Sequence, residues 1–137
     1  MVVFKKSSFF LMLLCLFLGT LYLMPKIEKC LANKKAKIVS NNCMAYSNAI
    51  LAKYNSDKKI NIEKTAKDLV VEFNQKYKNP ILKKEPAFAF DGKIYGACNI
   101  KYNKQVKALD VTGLDKEEGI IIRVIVKPPS FVRYDRS

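Results

Sequence analysis

Ser7 to Met24 reads SSFFLMLLCLFLGTLYLM and carries no charged side chain. No other feature constrains the chain as strongly. As a helix rising 1.5 Å per residue, the segment measures about 27 Å, close to the roughly 30 Å of a bilayer's hydrocarbon core. Lys5 and Lys6 stand in front of it, as in the basic flank of a signal sequence. A cleavable signal ends in a small-x-small site, whereas Leu21-Tyr22-Leu23-Met24-Pro25 is bulky. Cys15 follows Leu13-Leu14 rather than the small residues of a lipoprotein signal. The reading is a retained signal-anchor helix over residues 1–25 and a body over residues 26–137. The alternative is a peptide cleaved at an atypical site.

With 137 residues the chain has room for one domain and a short appendage. Histidine is absent, which excludes His-based metal centres and Ser-His-Asp or Cys-His nucleophiles. No Gly-rich phosphate loop is present. Asp110 is expected on a strand and the Glu117-Glu118 pair in a solvated turn, neither as a catalytic group. The expectation is therefore no enzyme activity, no cofactor and no metal.

The net charge is +13; setting Lys5 and Lys6 aside leaves 25 − 2 = 23 basic against 12 acidic residues, or +11. Such a balance suits an anionic partner, DNA among them. The basic residues are nearly all Lys, with Arg only at Arg123, Arg133 and Arg136, and a solvated basic surface is the alternative. Lys26, Lys29, Lys34, Lys35 and Lys37 follow the apolar run and outnumber the lysines before it. On charge alone they favour a body in the cytoplasm.

Beyond the span, Lys26 to Tyr54 has neither Gly nor Pro. Val39, Cys43, Tyr46, Ile50 and Tyr54 recur at helical spacing, with Ala45, Ala49 and Ala52 as a second row of small residues. One helix is predicted from the membrane segment to Asn55-Ser56-Asp57, with bends at Gly19 and Pro25. A second helix is predicted over Ile62–Lys78, capped by Asn61 and stopped by Asn79-Pro80.

After Pro86 the period changes to two. Strands are expected at Ile94–Tyr102, Val106–Thr112 and Ile120–Lys127, with Ala87–Phe90 as an edge strand before an Asp91-Gly92 turn. Pro128-Pro129 is expected to end the sheet and leave Ser130–Ser137 as a tail. The predicted fold class is α+β: a long N-terminal membrane helix continuing into an amphipathic helix, packed on a three- to four-stranded antiparallel sheet.

Four cysteines are present. Cys15 reads as a small apolar residue of the span. Cys43 on the helical stripe and Cys98 on the apolar strand face both point into the helix–sheet interface. A disulfide between them requires an oxidising compartment, and two buried free thiols are the alternative. Cys30 competes poorly for Cys43, since thirteen residues of straight helix separate them by about 20 Å.

The order of these parts resembles the type IV pilin and pseudopilin family. Lys5-Lys6-Ser7-Ser8 and an apolar helix with the late Gly19 are followed by Pro25. Then come Lys26-Ile27-Glu28-Lys29-Cys30 and Lys34-Lys35-Ala36-Lys37-Ile38. This is similar to the pilin passage from membrane helix to amphipathic helix. Ala49 to Asp57 looks like the end of that helix, and Phe73 to Pro86, with Gly92 after it, like the loop into the sheet. The chain departs from the family pattern in having no Gly before Phe9-Phe10 and no acidic residue in the apolar run.

The resemblance implies a structural or assembly subunit stored in the membrane, with its N-terminus inside and its body outside. Self-association or other pilin-like subunits would be its partners. A signal-anchored accessory protein that does not polymerise, and a DNA-uptake subunit using the basic surface, are the alternatives.

Overall fold

The computed structural model describes residues 2–116 and 119–136, with side chains from Lys6 onward. Glu117-Glu118 and the side chain of Lys5 lie outside the described residues. Helix α1 is a single helix over Val2–Ser56, passing through both Gly19 and Pro25. The chain divides into two compact units, 1–34 and 35–137. Ala36 and Val39 are the first α1 residues to join the core of the second unit.

In that unit Val39, Cys43, Tyr46 and Ile50 are fully buried, as their spacing predicts. Helix α2 covers Ile62–Lys76 and buries Ala66, Leu69, Val70 and Phe73. The Asn61 side chain accepts the Lys64 N–H at 3.1 Å and caps it. Glu63 in the first turn and Lys76 in the last complement the helix dipole. α2 ends before the expected Lys78, because Tyr77 turns into an extended conformation and stacks its ring near Phe73 and Phe88.

The sheet has five strands in sequential order: β1 (Phe88–Phe90), β2 (Cys98–Asn103), β3 (Ala108–Asp115), β4 (Gly119–Lys127) and β5 (Ser130–Asp135). Three differences from the expected meander have physical causes. First, β1 pairs with β2 in parallel, so the sheet is mixed rather than antiparallel throughout. The segment expected to start the strand at Ile94 is instead folded into the return loop. Asn99 accepts the Ile94 N–H at 2.8 Å and donates to the Ile94 carbonyl at 2.9 Å.

Second, β3 runs through Gly113 to Asp115 instead of stopping at Thr112. Gly113 is a point of close approach rather than a turn. A Cβ there would lie 2.8 Å from Val39 Cγ1 and 3.0 Å from Ile122 Cγ2. Third, Pro128-Pro129, joined by a cis bond, does not end the sheet. The two prolines form the connection of a hairpin in which Lys127 faces Ser130, and the expected tail is β5. Phe131, Val132 and Tyr134 supply it with β-forming side chains.

One face of the sheet presents Cys98, Ile100, Leu109, Val111, Ile122, Val124 and Val126 to the helices, all of them buried. This layer of helices on one sheet face is the α+β arrangement the periodicities imply.

Candidate functional site

The first unit is defined by what its side chains lack. Phe9 to Met24 is apolar and exposed at nearly every position. The helix that carries it is long and apolar enough to cross a membrane. Thr20 donates its hydroxyl to the Phe17 carbonyl at 2.7 Å, so this polar side chain is satisfied within the helix. Lys26 reaches back to the Tyr22 hydroxyl at 3.3 Å, with its ammonium 4.5 Å from the ring centre. This is the behaviour of a cation at the end of an apolar segment. A Cβ at Gly19 would meet nothing within 4 Å among the described residues, so none of them requires glycine there. Pro25 has no N–H, which leaves one carbonyl of the preceding turn without its helical donor. Cys15 and Cys30 are free and exposed.

In the second unit Cys43 and Cys98 form a disulfide with their Cα atoms 5.5 Å apart and a sequence separation of 55. Both are fully buried, with Cys43 beside Gly113, so the bond ties α1 to β2 inside the core. Closing a loop of that length removes about 4 kcal/mol of chain entropy from the unfolded state in the entropic model.

Next to the disulfide, Tyr46 donates its buried hydroxyl to the Ala66 carbonyl at 2.8 Å and joins α1 to α2. Its ring meets Phe73 edge-on at 5.6 Å and Phe88 at 5.6 Å. Burial pushes the Tyr46 phenol well above its ordinary pKa of 10.0.

Three asparagines fix the loops around β1 and β2. Buried Asn79 donates to the carbonyls of Pro86 and Tyr95 and accepts the N–H groups of Ile81 and Leu82, all within 3.2 Å. Gly96, at φ 76°, leaves the room that the Asn79 amide fills. Asn74 on α2 donates to the Phe88 carbonyl at 2.9 Å and accepts its N–H at 2.8 Å. Its amide thus occupies the outer edge of β1 as a further strand would. Asn99, described above, holds the third loop. Every described buried side-chain nitrogen and oxygen has a partner.

The outer face of the sheet carries an ion pair beside the exposed apolar side chains of Val132 and Tyr134. Arg123 on β4 grips Asp110 on β3 through two nitrogens, the shorter contact 2.6 Å. That hydrogen bond, and the carboxylate's charge after it, raises the Arg123 pKa. Thr112 donates to the same Asp110 at 2.8 Å, so the carboxylate accepts from both β3 and β4 side chains. Among the described residues no three His, Cys, Asp or Glu side chains stand together as a metal site would require.

No protein-family model, no curated protein and no solved structure matches this chain.

The structure brings Cys43 and Cys98 together in the second unit, and Gly19 and Pro25 belong to the first. Sequence reasoning missed Asn74, Asn79 and Asn99. Asn79 was readable only as the residue that stops α2, since a carboxamide's loop partners lie far away in sequence. It also missed β5, although the period of Phe131, Arg133 and Asp135 against Val132 and Tyr134 is a strand signal.

Proposed function

We propose that this chain is a single-span structural or assembly subunit of pilin-like build, anchored in the membrane by residues 7–24, with its N-terminus inside and its body outside. One observation carries the reading: a single helix holds an unpartnered apolar segment at one end and the main packing stripe of a disulfide-tied α+β body at the other. The disulfide supports a body in an oxidising compartment, against the pull of the five lysines that follow the span. The exposed apolar half fits either lipid or other copies of itself. Gly19 and Pro25 are where that half would bend as it passes from one environment to the other.

The test has two parts. Thiols are blocked in intact cells before lysis, and linked peptides are weighed with and without reductant. A Cys43–Cys98 peptide pair is expected; blocked free thiols at both positions would place the body in the cytoplasm and end the proposal. Mechanical shearing of cells should then release the chain with high-molecular-weight filaments. Full retention in the membrane fraction, released only by detergent, would assign it instead as an anchored accessory protein.

A further inference from the structure

The two edges of the sheet are finished differently. At the outer edge of β1 the Asn74 amide pairs both backbone groups of Phe88. β5 is the other edge, exposed at every residue from Ser130 to Asp135, and among the described residues no strand lies beyond it. The Arg136 N–H donates to the Ile121 carbonyl at 3.1 Å. In an antiparallel ladder alternate residues turn their backbone groups to the partner strand, so Tyr134 and Val132 also face β4. Phe131, Arg133 and Asp135 therefore turn their backbone N–H and C=O groups outward, along an edge whose side chains include the exposed Phe131, Val132 and Tyr134. An edge of this kind is a template for another strand.

We infer that β5 pairs antiparallel with β5 of a second copy of this chain, about a two-fold axis at Tyr134. The charge pattern selects both occupant and register. In a two-fold ladder that uses the outward backbone groups, Phe131, Arg133 and Asp135 can face only odd-numbered positions of the second copy. Setting Arg133 against Arg133, or Asp135 against Asp135, opposes like charges, which destabilises a strand pair. Sliding the strands to put Phe131 against Arg133 sets each guanidinium opposite an apolar ring and leaves Asp135 with no cross-strand cation. The register with the axis at Tyr134 sets Arg133 opposite Asp135 of the second copy, twice by symmetry, and so gains two cross-strand ion pairs.

Within one chain Arg133 already holds Asp135 at 2.7 Å on the same strand face. The dimer therefore forms an alternating square of two arginines and two aspartates. Self-complementarity of this sort is what an isologous contact requires. It goes beyond the assembly reading above, since strand pairing of the bodies requires neither a filament nor a particular membrane orientation.

The test is cysteine crosslinking of the full chain in membranes, in a Cys15→Ser, Cys30→Ser background that keeps the Cys43–Cys98 pair. Tyr134→Cys sits on the axis, where facing Cα atoms of a non-hydrogen-bonded pair lie about 4.5 Å apart, within disulfide range. A disulfide-linked dimer is expected on mild oxidation. Val106→Cys, exposed in the β2–β3 turn, is the control and should remain monomeric. Arg133→Asp should lower the crosslinked fraction about fivefold or more, and adding Asp135→Arg should restore it, since the exchanged charges again oppose one another. Both positions are exposed, and an intact Cys43–Cys98 disulfide in each variant verifies the fold.

Equal crosslinking at Tyr134→Cys and Val106→Cys, no rescue by the charge exchange, or crosslinks only to a different protein would each overturn the pairing. None of these outcomes bears on whether cells shed the chain in filaments, so this inference and the assembly reading fail separately.

Discussion

The β1–β2 side of the sheet and the β4–β5 side are built on different principles. On the first, a disulfide joins β2 to α1, the Asn74 amide occupies the strand edge, and Asn79 and Asn99 bind the loops. On the second, β5 is held by its backbone ladder to β4 and by surface ion pairs such as Arg136 with Asp115 at 3.5 Å. The first side is finished within one chain. The second is stable but leaves donors and acceptors facing outward. Burying a polar group costs free energy unless it is paired, and water satisfies an exposed one. A strand edge left open is thus cheap for the monomer and available to a partner.

The largest expected effect comes from cutting the tie on the closed side. Cys98→Ala paired with Cys43→Ala should cost about 4 kcal/mol of body stability, read from the denaturant midpoint of the detergent-solubilised chain. An unchanged midpoint would remove the disulfide from any account of the difference between the sides.

Next come two substitutions that test the packing beside it. Asn74→Leu keeps the shape but leaves the Phe88 N–H and carbonyl unpaired, for a loss of about 1–3 kcal/mol. Gly113→Ala pushes a methyl group into Val39 and Ile122, for a similar loss of about 1–3 kcal/mol. If Asn74→Leu proves neutral, the β1 edge is as tolerant as that of β5 and the contrast fails.

Tyr46 gives a pH test of the closed side. Its folded pKa is raised, so the neutral phenol contributes stability that is fully present below the unfolded value of 10.0 and is lost as pH rises through the higher folded value. Stability should therefore fall above about pH 10, and Tyr46→Phe should remove that fall. Persistence of the same alkaline loss in Tyr46→Phe would assign it to another group.

The smallest effects belong to the open side. Asp110→Asn breaks the partly exposed pair with Arg123 and should cost at most about 1 kcal/mol, less at high salt. Val132→Thr on β5 should stay within about 0.5 kcal/mol. A loss as large as that of Asn74→Leu would mean that β5 is packed rather than presented.

Much of this was legible along the chain. The α1 stripe, the Asn61 cap and the alternation of Cys98, Ile100 and Tyr102 are local patterns, and each is found where its period puts it. The Cys43–Cys98 pairing was legible as a choice between a bridge and two buried thiols. Two periods placed both residues at one interface, but only the meeting of their backbones decides for the bond. The expected hairpin at Asp91-Gly92 failed because the Asn99 side chain, five residues beyond Ile94, competes for the backbone groups that a strand there would use. The tail after Pro129 failed because two prolines stop a strand without saying whether the chain returns. The comparison with known proteins offers no template against which such choices could have been made.

By itself the sequence determined that an uncharged apolar helix leads into an amphipathic one, and that a sheet-forming region follows. Those are properties of composition and period, and burial of apolar surface enforces them wherever the segments lie. Tertiary structure alone decided that β1 runs parallel to β2, that Asn74 closes one edge, that Gly113 yields its side chain to Val39, and that β5 leaves the other edge open. Each depends on backbone groups distant in sequence reaching hydrogen-bond or van der Waals range, and no local pattern encodes that distance.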